Sequence, residues 1–310
     1  MNQIEEHSHG NRVLFKTATP FGQINQNFGS RAINPDAPHW GILVALGLWF
    51  LSVVLIILAG IVAVSGYFLF NFAASGSQPD QVSILKDPNV IIVNLLAIFP
   101  AHLLTILAAW MVLTRNGRQS FWQTLGWNFN KFGGYFGFLI SLALTLVLLG
   151  VGVSVVSLIG KQENDFDRIL QSSRVAVLIA ATMATLTAPL TEEIIYRGVL
   201  YPAFRSKFGV PAAIFGVTLL FAAVHVPQYV EFDKLQNLSN YGVISVILIL
   251  SLTLTVIRAK TNSLLPCFAI HTLFNGIQSL LLVLEPYIQK TLAPPEQGIS
   301  ALWVLWQKFF

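Results

Sequence analysis

The sequence has little charge and almost no cysteine. Only 10% of its 310 residues are charged and 55% are hydrophobic, whereas a soluble domain carries about 25% charged residues. A water-facing surface cannot be built from this composition, so most of the chain faces lipid. Cys267 is the single cysteine, which excludes an intrachain disulfide and a thiolate metal cluster. It lies in an apolar run, where we expect a buried, small hydrophobic side chain.

The first 39 residues lack the features of a signal peptide. They are polar, and no short apolar core with a small-residue cleavage site follows the start. We therefore expect a polar N-terminal region over 1–39 and an uncleaved first anchor. The net charge of +4 comes from basic residues scattered between apolar runs. Scattered cations suit loops beside anionic lipid, and they do not indicate a nucleic-acid partner.

Seven stretches lack Asp, Glu, Lys and Arg and meet or approach the ~20 residues that a helix needs to cross hydrocarbon. They lie near 40–70, 90–114, 134–160, 175–191, 210–226, 241–257 and 263–284. The runs are continuous and not alternating, which favours helices over a β-barrel. The predicted fold class is all-α integral membrane, a polytopic bundle of about seven transmembrane helices enclosing a polar cavity. We expect the transmembrane domain over 40–285, a motif-bearing core over 175–285 and an interfacial tail over 286–310.

The distribution of Lys and Arg predicts the orientation of the chain in the cell membrane. With seven spans, ten basic residues fall on the side of the N-terminus, Arg205 and Arg258 among them, and seven fall on the other side. Because cytoplasmic loops carry an excess of Lys and Arg, the N-terminus is expected to be cytoplasmic. The aromatic and basic stretch from Arg115 to Lys131 is typical of a segment at the headgroup level.

Two acidic residues lie where the apolar pattern should exclude them. Glu192 and Glu193 are inside the fourth predicted span, and a carboxylate at bilayer depth costs at least ~2.5 kcal/mol, so such residues are functional by default. Glu193 and Arg197 are four residues apart and can form an ion pair on one helix face. Glu192 points about 100° away. It therefore has no partner in its own helix and can serve as a general base; a purely structural charge cluster is the alternative.

Two further polar sites lie at a matching depth. Charges, Gly209 and Pro211 predict a turn near Lys207–Gly209, and Glu192 and His225 are then equidistant from the tip of an antiparallel hairpin. His271 and Asn275 share one face of the last span, where they could stabilise a developing oxyanion or simply join helices. His102, which follows Pro100 in the second span, is interpreted as a packing residue at a helix kink.

These residues form three spaced motifs, which are Glu192-Glu193-x-x-x-Arg197, Phe221-x-x-x-His225 and His271-x-x-x-Asn275. Together and in this order they resemble the CAAX protease and bacteriocin-processing family of intramembrane proteases. The resemblance covers roughly residues 90–285. It implies a helical bundle around a water-filled cavity and an endopeptidase that hydrolyses peptide bonds of membrane-associated substrates. Relatives in this family trim prenylated CAAX proteins or are linked to bacteriocin maturation and self-immunity.

The resemblance also implies roles for the residues of the motifs. Glu192 with His225 would activate a water, and His271 with Asn275 would stabilise the oxyanion. Glu193, Arg197 and Phe221 would hold the local geometry. No cofactor is firmly implied. Zinc stays open on chemistry alone, since Glu192, His225 and His271 could ligate it with one open position, although the sequence lacks H-E-x-x-H.

Two other classes of function remain open at the level of sequence. The chain could be a non-catalytic membrane protein that binds a partner or gives self-immunity to a bacteriocin. It could also be a proton-coupled transporter that uses its intramembrane Glu and Arg. The absence of paired broken helices in two related halves of the sequence argues against transport. The expected partners are therefore the lipid bilayer and a membrane-associated peptide or protein substrate.

Overall fold

Long apolar helices dominate the structure, a computed structural model that describes residues 34–76, 87–160 and 173–292. Within these ranges every regular element is helical and no strand occurs. The helices are α1 (Ile42–Ser75), α2 (Pro88–Thr114), α3 (Phe121–Leu125), α4 (Gly137–Ile159), α5 (Arg174–Thr182), α6 (Ala188–Glu193), α7 (Tyr201–Tyr229), α8 (Gly242–Thr261) and α9 (Leu265–Leu292). The expected all-α membrane bundle is confirmed.

Two π-helical segments connect α5, α6 and α7 into one continuous run. The first, π1, spans Met183–Thr187, and the second, π2, spans Ile194–Leu200. Short 3₁₀ helices precede α4 and lie between α7 and α8, at Gly134–Phe136, Phe232–Lys234 and Leu238–Tyr241. π-helical turns are rare and occur mostly inside α-helices at functional sites.

Six helical runs of the described chain are long and apolar enough to cross a membrane. The run from Arg174 to Tyr229 has 56 residues, more than twice the ~20 needed for one crossing. It is broken at Gly209, whose φ of 82° and ψ of 174° are not helical. The predicted fourth and fifth spans are the two arms of this run, and the turn predicted near Lys207–Gly209 is confirmed.

Contacts between the two arms show that they are antiparallel. The rings of Tyr196 and Phe221 lie 4.9 Å apart, and a Cβ built on Gly216 would meet the ring of Phe204 at 2.9 Å. Both pairs are nearly equidistant from Gly209 along the chain. The chain therefore folds back at Gly209 into a tight helical hairpin, and this hairpin carries two of the three motifs.

Burial separates peripheral helices from central ones. In α1 only 11% of the most apolar window is buried, against 44% in the segment that contains α8. Exposed side chains such as Leu43, Leu69 and Phe70 cover the outside of α1, as expected for a surface in contact with lipid. Polar groups accordingly gather at the centre, among α6, α7, α8 and α9.

The C-terminal helix is longer than the last apolar run. Helix α9 continues through Pro286 to Leu292, whereas the interfacial tail was predicted to begin at 286. The rest of that tail, 293–310, and most of the polar N-terminal region, 1–33, lie outside the described residues. Cys267 is fully buried in a cluster with Ile270 and Phe274, which confirms its expected role as a small hydrophobic side chain.

Candidate active site

The two glutamates of the first motif end the short helix α6, between π1 and π2. A proline determines how the first of these π-segments is held. In π1 the amide of Ala188 donates to the carbonyl of Met183, five residues back, and Pro189 has no amide hydrogen to give. The carbonyl of Ala184 is thereby left without its regular backbone donor. Asn275 on α9 supplies one, with its Nδ2 3.0 Å from the Ala184 oxygen.

Glu193 is the centre of a buried ionic cluster. Its Oε1 lies 2.9 Å from Nη1 of Arg197, and both side chains are fully buried, so the predicted ion pair is confirmed. The same oxygen lies 2.8 Å from Nδ1 of His271 on α9. Glu193 Oε2 is buried without a hydrogen-bond partner among the described residues. A single carboxylate thus joins two motifs that are distant in sequence.

Arg197 is satisfied on every side of its guanidinium. Nη2 donates to the carbonyl oxygen and to Oγ of Ser251, at 3.0 and 2.8 Å, and Nε donates to Oγ1 of Thr255 at 3.3 Å. The guanidinium carbon lies 4.8 Å from the centroid of the Phe221 ring, which is cation–π geometry. Because a buried charge is tolerated only when paired and hydrogen-bonded, these contacts account for a fully buried arginine.

Glu192 differs from its neighbour in exposure and in partners. Its side chain is 24% exposed, and its Oε2 lies 3.6 Å from Nε2 of His271, which is longer than a hydrogen bond. The ring of His271 therefore lies between two carboxylates, tightly held by Glu193 and loosely approached by Glu192. The asymmetry that the helix geometry predicted is present, since one carboxylate is neutralised and the other remains accessible.

His225 is oriented by its own helix. Its Nδ1 lies 2.7 Å from the carbonyl oxygen of Phe221, so Nδ1 is the donor and Nε2 is directed away from the helix. Continuing the register of the hairpin by one turn from the Tyr196–Phe221 contact places His225 opposite Glu192. Among the described residues no hydrogen bond joins these two side chains. The register of the hairpin therefore puts the two residues at a common level.

Phe221 contacts three of the polar groups of the site. The centroid of its ring lies 4.8 Å from that of His225 and 5.9 Å from that of His271. The guanidinium of Arg197 lies over the same ring. A single aromatic side chain thus separates and orients both imidazoles. This is the geometry that the second motif supplies.

His102 lies beside this cluster, although its position after Pro100 indicated simple packing. His102 is 5% exposed, and its Nδ1 lies 3.0 Å from Oγ1 of Thr187 at the end of π1. Sequence reasoning also missed Ser251 and Thr255, which bind Arg197. Their spacing of four residues on α8 was the available signal.

The described residues contain no preformed group of metal ligands. Over the described ranges, no three His, Cys, Asp or Glu side chains lie together as they would around an ion. Nδ1 of His271 is already bound to Glu193.

Part of the chain matches a known protein family. Residues 174–277 match the family described as Type II CAAX prenyl endopeptidase Rce1-like, which supports the resemblance to CAAX proteases and points to a membrane protease. The matched region is about a third of the chain, and it holds all three motifs. No curated protein and no solved structure matches the chain.

Proposed function

We propose that this chain, whose residues 174–277 match the family described as Type II CAAX prenyl endopeptidase Rce1-like, is an intramembrane endopeptidase that uses a water activated by Glu192 and His225. One observation carries the proposal. An accessible carboxylate lies beside an imidazole that a second, buried carboxylate holds in place. Such a group is expensive at bilayer depth, and a purely structural role would leave no reason for its exposure.

The first step is activation of the water. Glu192 takes a proton from a water between its carboxylate and His225, and the resulting hydroxide attacks the carbonyl carbon of the scissile peptide bond. His225 holds that water through Nε2, because its Nδ1 is engaged with the Phe221 carbonyl. A base positioned in this way typically contributes a factor of about 10²–10⁴ in rate.

The second requirement is stabilisation of the tetrahedral oxyanion. Nδ1 of His271 is bound to Glu193, so Nε2 is the ring nitrogen that faces the reacting atoms, and it donates to the oxyanion in the imidazolium form of the ring. Asn275 uses one amide hydrogen on the Ala184 carbonyl, and its second is available to the same oxyanion. Fixed donors of this kind are worth about 10²–10³ in kcat each. Glu193 and Arg197 exchange no proton and only hold His271.

The intermediate then collapses with balanced protons. The C–N bond breaks, and Glu192 returns its proton to the leaving amine. The carboxylic acid formed in this way passes its proton to the amine, so the products are a peptide with a new carboxylate and a peptide with a new ammonium group, and Glu192 is again ionised.

The test is cleavage of peptides by the purified protein in nanodiscs. Fluorogenic peptides ending in a CAAX sequence, with and without a prenyl group, are compared by mass spectrometry and rate. We expect Glu192→Gln and His225→Ala to lose at least about 10²-fold in kcat. Glu231→Gln is the matched control, since Glu231 lies in a loop and pairs with Lys234. Wild-type kcat in Glu192→Gln overturns the proposal.

A chelator separates the water-only mechanism from a metal-dependent one. We expect 1,10-phenanthroline to leave the rate unchanged. Inhibition that added zinc reverses would instead support a metal-dependent mechanism, for which Glu192, His225 and His271 are the candidate ligands. Ion flux in proteoliposomes without peptide cleavage would identify a transporter.

A further inference from the structure

The second π-segment has the same defect as the first, at a carbonyl close to the candidate catalytic turn. At the end of π2 the amide of Tyr201 donates to the carbonyl of Tyr196, five residues back. In the same register the carbonyl of Arg197 would accept from residue 202, which is Pro202 and has no amide hydrogen. The Arg197 carbonyl is therefore left without a backbone donor inside a buried part of the protein, where an unsatisfied carbonyl is costly.

Arg258 on α8 supplies the missing donor. Its Nε lies 3.1 Å from the carbonyl oxygen of Arg197. The two terminal nitrogens are used elsewhere, since Nη1 lies 2.7 Å from Oδ1 of Asp36 and Nη2 lies 3.3 Å from the carbonyl oxygen of Pro35. The guanidinium carbon is also 5.4 Å from the centroid of the Tyr201 ring. The three nitrogens of one side chain thus divide between π2 and the segment before α1.

Asp36 makes this burial possible. Arg258 is fully buried, and the Asp36 side chain is only 4% exposed. A buried guanidinium without a counter-charge would be strongly destabilising. Asp36 also pairs with Arg205, whose side chain is 30% exposed. The carboxylate therefore fixes Arg258 in the orientation in which Nε faces the Arg197 carbonyl.

We propose that Arg258, held by Asp36, is a positioning residue for the candidate protease site, acting through the carbonyl that Pro202 leaves without a donor. This inference rests on the proposed function. Arg197 has its carbonyl held by Arg258 and its guanidinium bound to Glu193, and Glu193 orients His271. Any shift of the π2 backbone is therefore transmitted to the imidazole at the reacting atoms.

The first test is Arg258→Lys in the full-length protein. Lysine retains a positive charge for Asp36 but has no Nε–H in the guanidinium plane. We expect kcat for peptide cleavage to fall at least about tenfold, because small misplacements of catalytic groups are costly. KM should stay within about twofold, since no substrate contact is removed. Wild-type kcat in Arg258→Lys overturns the proposal.

The second test is rescue by Pro202→Ala. Alanine restores an amide hydrogen at 202, which the π register directs to the Arg197 carbonyl. We expect the double variant Arg258→Lys, Pro202→Ala to recover most of the lost kcat. Pro211→Ala is the matched control, because Pro211 is in the same helix beyond the break at Gly209 and should rescue nothing. If adding Asp36→Asn to Arg258→Lys restores kcat and adding Pro202→Ala does not, the loss of kcat arises from the ion pair. That result would overturn the proposal.

Thermal unfolding separates this inference from the proposed function. Arg258 and residue 202 would both serve the carbonyl of Arg197. We therefore expect the shifts in Tm caused by Arg258→Lys and Pro202→Ala not to be additive, whether or not the protein cleaves peptides. If the wild-type protein cleaves no peptide, the proposed function fails and the coupling in Tm is still measured. Additive shifts in Tm, with no rescue of kcat, would overturn the positioning role alone.

Discussion

The adjacent residues Glu192 and Glu193 should differ in how the same substitution affects the stability of the protein. Replacing Glu192 by Gln removes an accessible carboxylate whose closest charged partner, Nε2 of His271, is 3.6 Å away. Replacing Glu193 by Gln removes the counter-charge of a fully buried Arg197 at 2.9 Å. The first variant should therefore lose activity while keeping its stability, and the second should lose both.

The magnitudes follow from burial. Breaking a buried ion pair by removing one partner costs about 3–5 kcal/mol, because the other charge stays buried and uncompensated. Both side chains of the Glu193–Arg197 pair are fully buried, so Glu193→Gln falls in this range. Glu192 is 24% exposed and makes no close ion pair, so Glu192→Gln should change the free energy of unfolding by less than about 1 kcal/mol. Its kcat should fall by about 10²–10⁴.

The measurement combines unfolding in mixed micelles with peptide cleavage on the same preparations. Glu231→Gln serves as the control for both, since its partner Lys234 is 45% exposed and surface pairs contribute little. Equal destabilisation by Glu192→Gln and Glu193→Gln would refute the reasoning, because it would mean that both carboxylates are structural. A stable Glu193→Gln variant would refute the energetic argument on its own.

Two further predictions concern the hairpin and the N-terminal contact. Gly209→Ala should lower the free energy of unfolding by about 1–3 kcal/mol, since φ 82° and ψ 174° lie in a region open essentially to glycine alone. Gly47→Ala is the control, because a Cβ at either glycine meets no neighbouring atom but Gly47 is helical, and it should not destabilise the protein. Asp36→Ala should cost about 3–5 kcal/mol by leaving Arg258 buried without a counter-charge, whereas Arg205→Ala should cost less than about 1 kcal/mol. Both are measured by unfolding in mixed micelles, and equal effects within either pair would contradict them.

Sequence reasoning succeeded where one helix or one turn determines the outcome. The Glu193–Arg197 pair depends only on a spacing of four residues, and the structure contains it. The hairpin tip depends on local charges and on the freedom of Gly209, and the break occurs at that residue. Such features need no knowledge of which helices are neighbours.

Other features depended on the rotation and packing of distant helices. Arg258 ends an apolar run and was counted with the loop cations, but it is fully buried because Asp36, 222 residues earlier, lies against it. The contact of His271 with Glu193 likewise depends on how α9 is rotated toward α6. The π-segments did leave a signal in the sequence, which is the pair Pro189 and Pro202. Five residues before each proline is a carbonyl that accepts a hydrogen bond from a side chain of another helix. That signal becomes readable only once the π register is known.

Charge balance gives the two carboxylates different tasks at this depth. Arg197 offsets the charge of Glu193 at 2.9 Å, and a buried charge is tolerated only when it is paired and hydrogen-bonded. Glu192 has no such close partner and is 24% exposed. When Glu192 takes a proton from the water in the proposed step, the negative charge passes to the hydroxide and then to the oxyanion, so the net charge of the site does not change before the C–N bond breaks.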